Sequence, residues 1–191
     1  MTIYVFEGPD GVGKTYCAET ISKELHLPLF SFPGKHTPGS LGKIVYDIHH
    51  DIDININMLA LQTMHVAAHI DLLLNHILPI HEQGIDIIMD RCWASTVIYG
   101  ALYIGDTQLE LRALECVVSA EKYIWNTIPH NIYVLQSEQS FRNNVRDFDV
   151  LKEIYSRFAH QDPNSIALKN DGTRYPVDFV IEEIKNGKWQ S

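Results

Sequence analysis

Cysteine is scarce in this 191-residue chain: Cys17, Cys92 and Cys116 make an odd count, with no Cys-x-x-Cys spacing. That arithmetic points to reduced thiols in a cytoplasmic setting rather than to a disulfide framework. No apolar run reaches the length of a membrane span. The first residues enter a strand-like stretch at once, without a basic, cleavable leader, so neither a membrane partner nor a signal peptide is expected. Basic residues are also few, 15 Lys and Arg against 24 Asp and Glu, for a formal charge of −9. With no Lys/Arg cluster, a nucleic-acid polymer is not an expected partner. Internal repeats, low-complexity tracts and long linkers are absent too, which points to one domain over residues 1–191.

What is present is a core-forming composition, 46% hydrophobic, and one dense motif near the N-terminus. Gly8-Pro9-Asp10-Gly11-Val12-Gly13-Lys14-Thr15 fits the phosphate-loop pattern G-x-x-x-x-G-K-[ST]. Thr2 to Phe6 ahead of it is short, apolar and β-branched, as a buried strand is. Tyr16 to Leu27 behind it carries apolar residues at helical spacing. Glycines let the backbone wrap closely around phosphate oxygens, and a helix N-terminus adds inward N–H groups and positive potential. Gly8, Gly11, Val12, Gly13, Lys14, Thr15 and Tyr16 are therefore candidate nucleotide-binding residues. Lys14 would bridge the outer phosphates and Thr15 would offer its hydroxyl to Mg²⁺.

Strands and helices alternate along the rest of the chain. Pro28–Pro33 reads as a second strand, followed by a Gly/Pro-rich loop to Lys43 and a helix near Ile44–His49. Asp51–Asn57 reads as a loop or a helix start, and Met58–His81 as one long helix closed by Gly84. Ile85–Met89 is a buried-strand pattern, Ser95–Ile104 and Asp106–Asn126 are helical, and Asn131–Leu135 is a fourth strand. Arg146–Ala159 is helical, Ser165–Leu168 a fifth strand, and Val177–Asn186 a last helix. Alternation of this kind predicts a three-layer α/β phosphate-loop fold with a parallel, five-stranded sheet flanked by helices. Ligands of such sheets lie at the carboxyl ends of the strands. Gly8–Thr15, Phe32–Lys43, Asp90–Ser95 and the segment after Leu135 should then meet over one cleft.

Asp90-Arg91 follows the third strand directly. Asp90 is suited to hold Mg²⁺ and Arg91 to clamp a phosphate in bidentate fashion; the plainer reading is an ion pair tethering the loop. Ten histidines are many for this length. His49-His50 and the His65/His69 pair raise the question of metal binding, but no third ligand falls at a persuasive spacing. Solvated or packed histidines are expected for most.

Three ordered motifs together resemble the thymidylate kinase family of nucleoside monophosphate kinases. Glu7 to Thr15 is similar to that family's E-G-x-[DE]-x-x-G-K-[ST]. Phe32-Pro33-Gly34-Lys35, then Thr37 and Leu41-Gly42, resembles its segment after the second strand. Asp90-Arg91-Cys92-Trp93-Ala94-Ser95 with Tyr99 resembles its D-R-[YH]-x-x-S-x-x-x-[YF], Cys92 standing where Tyr or His is preferred. The likeness fades after about Leu135.

The resemblance implies ATP and Mg²⁺ as cofactors, a deoxynucleoside monophosphate, foremost dTMP, as acceptor, and a homodimer. It implies that Asp10 faces the sugar 3′-hydroxyl or the transferring region. Lys35 and Arg91 would grip the acceptor phosphate, and Phe32, Ser95 and Tyr99 would line the nucleoside pocket. His65 and His69 stand where the family has an aromatic and a base-reading Arg. Some members carry an Arg in the phosphate loop, where this chain has Gly11; others place catalytic arginines in a lid after the fourth strand. Arg142 and Arg146, in a short lid-like segment at about 137–149, are the candidates here, the alternative being an ordinary charge pair at a helix start.

Two other functions fit parts of the pattern. A deoxynucleoside kinase would need a carboxylate base, for which Glu7 or Asp10 would serve, but Lys35 in a clamp loop favours a monophosphate acceptor. A non-catalytic nucleotide-dependent switch would keep the phosphate loop and need no acceptor pocket.

Overall fold

The computed structural model describes residues 1–51, 53, 55–104 and 108–187. Its centre is a five-stranded parallel sheet: β1 (Ile3–Glu7), β2 (Leu29–Ser31), β3 (Ile87–Asp90), β4 (His130–Gln136) and β5 (Ser165–Lys169). Their order across the sheet is β2-β3-β1-β4-β5. β1 is thus central and bonded on both sides, which agrees with five successive buried residues in Ile3–Glu7.

Alternation along β1 divides the core. Ile3 and Val5 face a cluster with Leu72, Met89, Leu114, Trp125, Leu151 and Tyr155. Tyr4 and Phe6 face the opposite cluster, with Val12, Cys17, Ile21, Leu168, Val177 and Val180. Helices α1 (Lys14–Leu25) and α8 (Tyr175–Asn186) cover this second face. The first face is covered by α3 (Met58–Leu72), α5 (Trp93–Tyr103), α6 (Gln108–Trp125) and α7 (Phe148–Gln161). α2 (Gly42–His50) packs on α3. The expected three-layer α/β fold with a parallel sheet is what the chain forms.

Several boundaries differ from the sequence expectation. The run Met58–His81 is helical throughout but is not one regular helix. A π-helical turn, Leu73–Ile77, separates α3 from the short α4 (Leu78–His81). Pro79 lies two residues beyond that turn, and a widened turn accommodates a residue that cannot donate a backbone hydrogen bond. Asn57 caps α3, its side chain accepting from the amides of Leu59 and Ala60. The last helical segment before β5 starts at Phe148 rather than Arg146, because Asp147 takes a left-handed conformation with φ of 56°. The start expected at Asp106 lies outside the described residues; among those described, α6 runs from Gln108. No helix among the described residues is long and apolar enough to cross a membrane.

Candidate active site

All the strands point their carboxyl ends to one edge, and there a cleft of about 970 Å³ opens. It is lined by the phosphate loop, by Phe32–Thr37 after β2, by Asp90, Arg91, Ser95 and Thr96 after β3, by one face of α3 and by Phe141 and Arg142 after β4.

The loop after β1 packs as tightly as its glycines suggest. A Cβ on Gly11 would stand 2.0 Å from the Ser140 hydroxyl, and one on Gly13 would stand 2.7 Å from Asn170 Nδ2. Both glycines have positive φ, 80° and 92°, which side chains rarely adopt. Val12, expected among the nucleotide contacts, buries its side chain beneath the loop, so only its backbone can serve. Its carbonyl accepts from Asn170 Nδ2 at 2.7 Å.

Lys14 folds back over its own loop, Nζ donating to the carbonyls of Gly8 (2.9 Å) and Pro9 (2.7 Å). Its side chain is almost wholly buried. Burial, reinforced by Arg91, lowers the ammonium pKa to about 7 in spite of Asp10, Asp90 and Glu7 nearby.

Asp10, Arg91, Ser95 and Glu7 form one hydrogen-bonded chain. Arg91 adopts φ of 77°, which is strained for a residue with a side chain. Its Nη2 pairs with Asp10 Oδ1, and its Nη1 donates to Ser95 Oγ at 2.7 Å. The Ser95 hydroxyl lies against Glu7, 2.9 Å from Oε2. Glu7 is fully buried and its two oxygens also accept from Cys92 N–H (2.7 Å) and Tyr155 O–H (3.1 Å). Burial opposes ionisation of Asp10, but Arg91 and Lys14 outweigh it and hold the carboxyl below its ordinary pKa. The Tyr99 ring lies 5.4 Å from the Arg91 guanidinium, measured to its centroid. Ser95, expected as a pocket wall, therefore also acts as the strut that aims Arg91.

Thr15 Oγ1 donates to Asp90 Oδ2 at 2.6 Å, while Asp90 Oδ1 is buried without a hydrogen-bond partner among the described residues. A lone carboxylate oxygen next to a hydroxyl and a phosphate loop suits Mg²⁺, which takes few protein ligands and keeps water and phosphate oxygens. Among the described residues, no group of three or more His, Cys, Asp or Glu is arranged to hold a metal ion by protein ligands alone.

At the far end of the cleft Met58, Gln62, His65 and His69 emerge from α3 at helical spacing. His69 stacks on Phe32, with ring centroids 3.9 Å apart, and its Nδ1 lies 3.1 Å from the buried Glu121 carboxylate. Trp125 Nε1 donates to the other Glu121 oxygen. His65 Nε2 lies 3.0 Å from His49 Nδ1. Burial, with the charges His69, His49 and His50 would carry, lowers the His65 pKa to about 3, so it is a neutral ring. Lys35 lines the cleft with its ammonium 4.3 Å from the centre of the Tyr46 ring.

The two lid candidates part company. Arg142 lines the cleft and is close enough to Asp10 to lower its pKa. Arg146 is not among the residues lining the cleft and is largely exposed, Nε on Asp147 Oδ2 at 3.0 Å and its guanidinium over the Tyr103 ring at the cleft's rim. The charge-pair alternative describes Arg146; Arg142 is the one brought to the site.

Sequence reasoning missed Gln62, Thr96, Glu121, Tyr155, Phe141 and Asn170. Glu121 left a trace, since it falls on the apolar stripe Leu114, Val118, Trp125 of α6 where a charge needs a partner. Tyr155 and Asn170 left none; their contacts span 148 and 158 residues.

A sequence model of the thymidylate kinase family matches residues 6–164, which include the phosphate loop, Arg91 and the segment after β4. The chain belongs to the thymidylate kinase family. As a member it is a phosphotransferase, a nucleoside monophosphate kinase. The solved thymidylate kinase of Ehrlichia chaffeensis shares its fold at 16% identity, with a TM-score of 0.73 over 96% of this chain and 98% of that one. That of Candida albicans, described as having broad substrate specificity, is 17% identical, with a TM-score of 0.68 over 96% of this chain and 89% of the other. No curated protein matches the sequence significantly.

Proposed function

We propose that this kinase transfers the γ-phosphate of ATP to the 5′-phosphate of a deoxynucleoside monophosphate, dTMP foremost, giving the diphosphate. The observation that carries the reading is the pairing of two cationic sites in one cleft, Lys14 in the loop and Arg91 on its Asp10–Ser95–Glu7 frame. The acceptor phosphate is already anionic, so the reaction asks for alignment and charge neutralisation and for no covalent nucleophile.

Lys14 leaves its loop carbonyls for the donor phosphates, whose charge restores its proton. Arg91 and Lys35 take the acceptor phosphate, and Arg142 adds charge from the segment after β4. Thr15 and Asp90 hold Mg²⁺, which when bound neutralises phosphate charge. Phe32, Ser95, Thr96 and Tyr99 enclose the nucleoside, and Gln62, His65 and His69 face its base. Residues 137–149 serve as a short lid that excludes water. The homodimer rests on the family resemblance; residence in the cytoplasm is supported by three cysteines, all free.

A deoxynucleoside kinase is disfavoured by the state of its two candidate bases. Glu7 is enclosed by donors, and Asp10 is paired with Arg91. The test is an acceptor panel of dTMP, dUMP, dGMP, dAMP, dCMP and the parent nucleosides with ATP and Mg²⁺, following ADP formation. Turnover of one or more monophosphates is expected; turnover of nucleosides alone overturns the assignment.

A further inference from the structure

The strand order splits the cleft into two halves about the phosphate loop. β2 and β3 lie on one side of β1, and bring Phe32, Lys35 and Arg91; β4 and β5 lie on the other. With the acceptor on the β2/β3 side, the base of the donor nucleotide is left with the β4/β5 side. Two connections wall that side, 137–147 after β4 and 170–174 after β5.

Phe141 is the single aromatic residue of those two connections, and it is 46% exposed within the wall of the cleft. It is nevertheless held in place. Its backbone N–H donates to the Gly11 carbonyl at 2.8 Å. Its ring carbons come within 3.9 Å of where a Cβ would stand on Gly13 and 3.7 Å of one on Gly172. The ring thus spans the phosphate loop and the turn after β5. Much of its apolar surface is left facing a cleft whose other function is to hold phosphates.

The polar side chains of the neighbouring turn are engaged in holding it. Asn170 donates to the Val12 carbonyl and accepts from Gly172 N–H. Asp171 accepts from the amide and hydroxyl of Thr173, and Arg174 pairs with Glu24 and Asp178. With the polar side chains of that turn committed, Phe141 offers a base a flat apolar face beside it. We propose that Phe141 is the platform on which the purine ring of the donor nucleotide stacks, so that this half of the site recognises its base by stacking more than by side-chain hydrogen bonds.

The inference rests on the reading that a purine nucleoside triphosphate is the donor, and the test separates the two. Dissociation constants of ATP, GTP and inorganic tripolyphosphate are measured by calorimetry on the intact chain and on Phe141→Ala, Phe141→Leu and Phe141→Trp. One base–aromatic stack corresponds to roughly a tenfold loss of affinity. Phe141→Ala and Phe141→Leu should weaken ATP and GTP by about that factor and leave tripolyphosphate unchanged, while Phe141→Trp retains both nucleotides and its fluorescence changes on binding. Phe141→Leu keeps an apolar contact on Gly13 and Gly172, so it distinguishes a lost stacking face from a disturbed loop. Unchanged nucleotide affinity in the Ala and Leu variants overturns the proposal. So does an equal loss for tripolyphosphate, which would make Phe141 a support for the loop. If the wild-type chain binds tripolyphosphate but gains nothing from either purine, the donor reading falls and the platform with it.

Discussion

Gly11 and Ser140 are fitted to one another so closely that no side chain has room between them. The Ser140 hydroxyl stands 2.0 Å from the place a Cβ on Gly11 would occupy, and Phe141 N–H bonds the Gly11 carbonyl one residue further on. The room a side chain at this loop position would need is thus taken by the segment after β4. We propose that this segment adds charge to the transferring phosphoryl group through Arg142, beside Lys14 and Arg91.

Substituting Gly11 tests this contact. Gly11→Arg should destabilise the fold by about 1–3 kcal/mol through its strained positive φ, and should lower kcat because it displaces Ser140 and with it the segment carrying Arg142. Ser140→Gly in the same chain should recover part of the loss. Rates with saturating ATP and dTMP, beside thermal melts, are the measurement. A Gly11→Arg variant as active and as stable as wild type contradicts the contact.

Arg142 and Arg146 should behave differently. Arg142→Ala is expected to lower kcat by about a hundredfold, the effect of losing one preorganised donor at a developing charge. Arg146→Ala, already paired with Asp147 at the surface, should stay within about twofold, since exposed ion pairs contribute little. Steady-state rates of the two variants decide it, and a reversed order would move the lid contact to Arg146.

Lys14 gives the donor site a pH dependence. Its free pKa of about 7 leaves it largely neutral above that pH, whereas phosphates favour the ammonium form. ATP binding should therefore take up a proton above pH 7, and affinity should fall as pH rises from 7 until the pKa of the complex is passed. Calorimetry at pH 8 in two buffers of different ionisation enthalpy reads the uptake directly. Lys14→Met should abolish it; an uptake that persists in that variant places the proton elsewhere.

His65 makes the acceptor end sensitive to acid. Its pKa of about 3 in the folded chain lies below its ordinary 6.5. The unfolded chain takes up the proton first, so stability is complete above about pH 6.5 and declines as pH falls toward 3. His65→Asn should narrow or reverse its stability deficit against wild type as pH drops from 7 to 4. Parallel melting curves at several pH values provide the comparison, and a constant difference would mean that His65 does not titrate this way.

The fold was largely readable from local pattern. Five apolar strands, each followed by helical periodicity, leave a parallel three-layer arrangement as the economical solution, and the elements formed where the periodicity lay. The departures come from residues whose effect is not periodic. The π turn at Leu73–Ile77 precedes Pro79, and the delayed start at Phe148 follows a left-handed Asp147. The glycine-rich loop after β1 and the Asp90-Arg91 corner were legible as neighbours in the cleft because each is a run of consecutive residues at a strand end.

Residue order alone thus determined that the chain carries a phosphate-loop pattern at Gly8–Thr15 after one strand and an Asp-Arg pair at the end of another. Only the tertiary structure decided that Arg142 faces the cleft and Arg146 does not. It also showed Ser95 bracing Arg91 against a buried Glu7, and Glu121 standing behind His69. Backbone motifs are written in neighbouring residues, whereas a side chain's partner depends on which distant element packs against it. Glu7 and Tyr155, 148 residues apart, meet because β1 and α7 share one core.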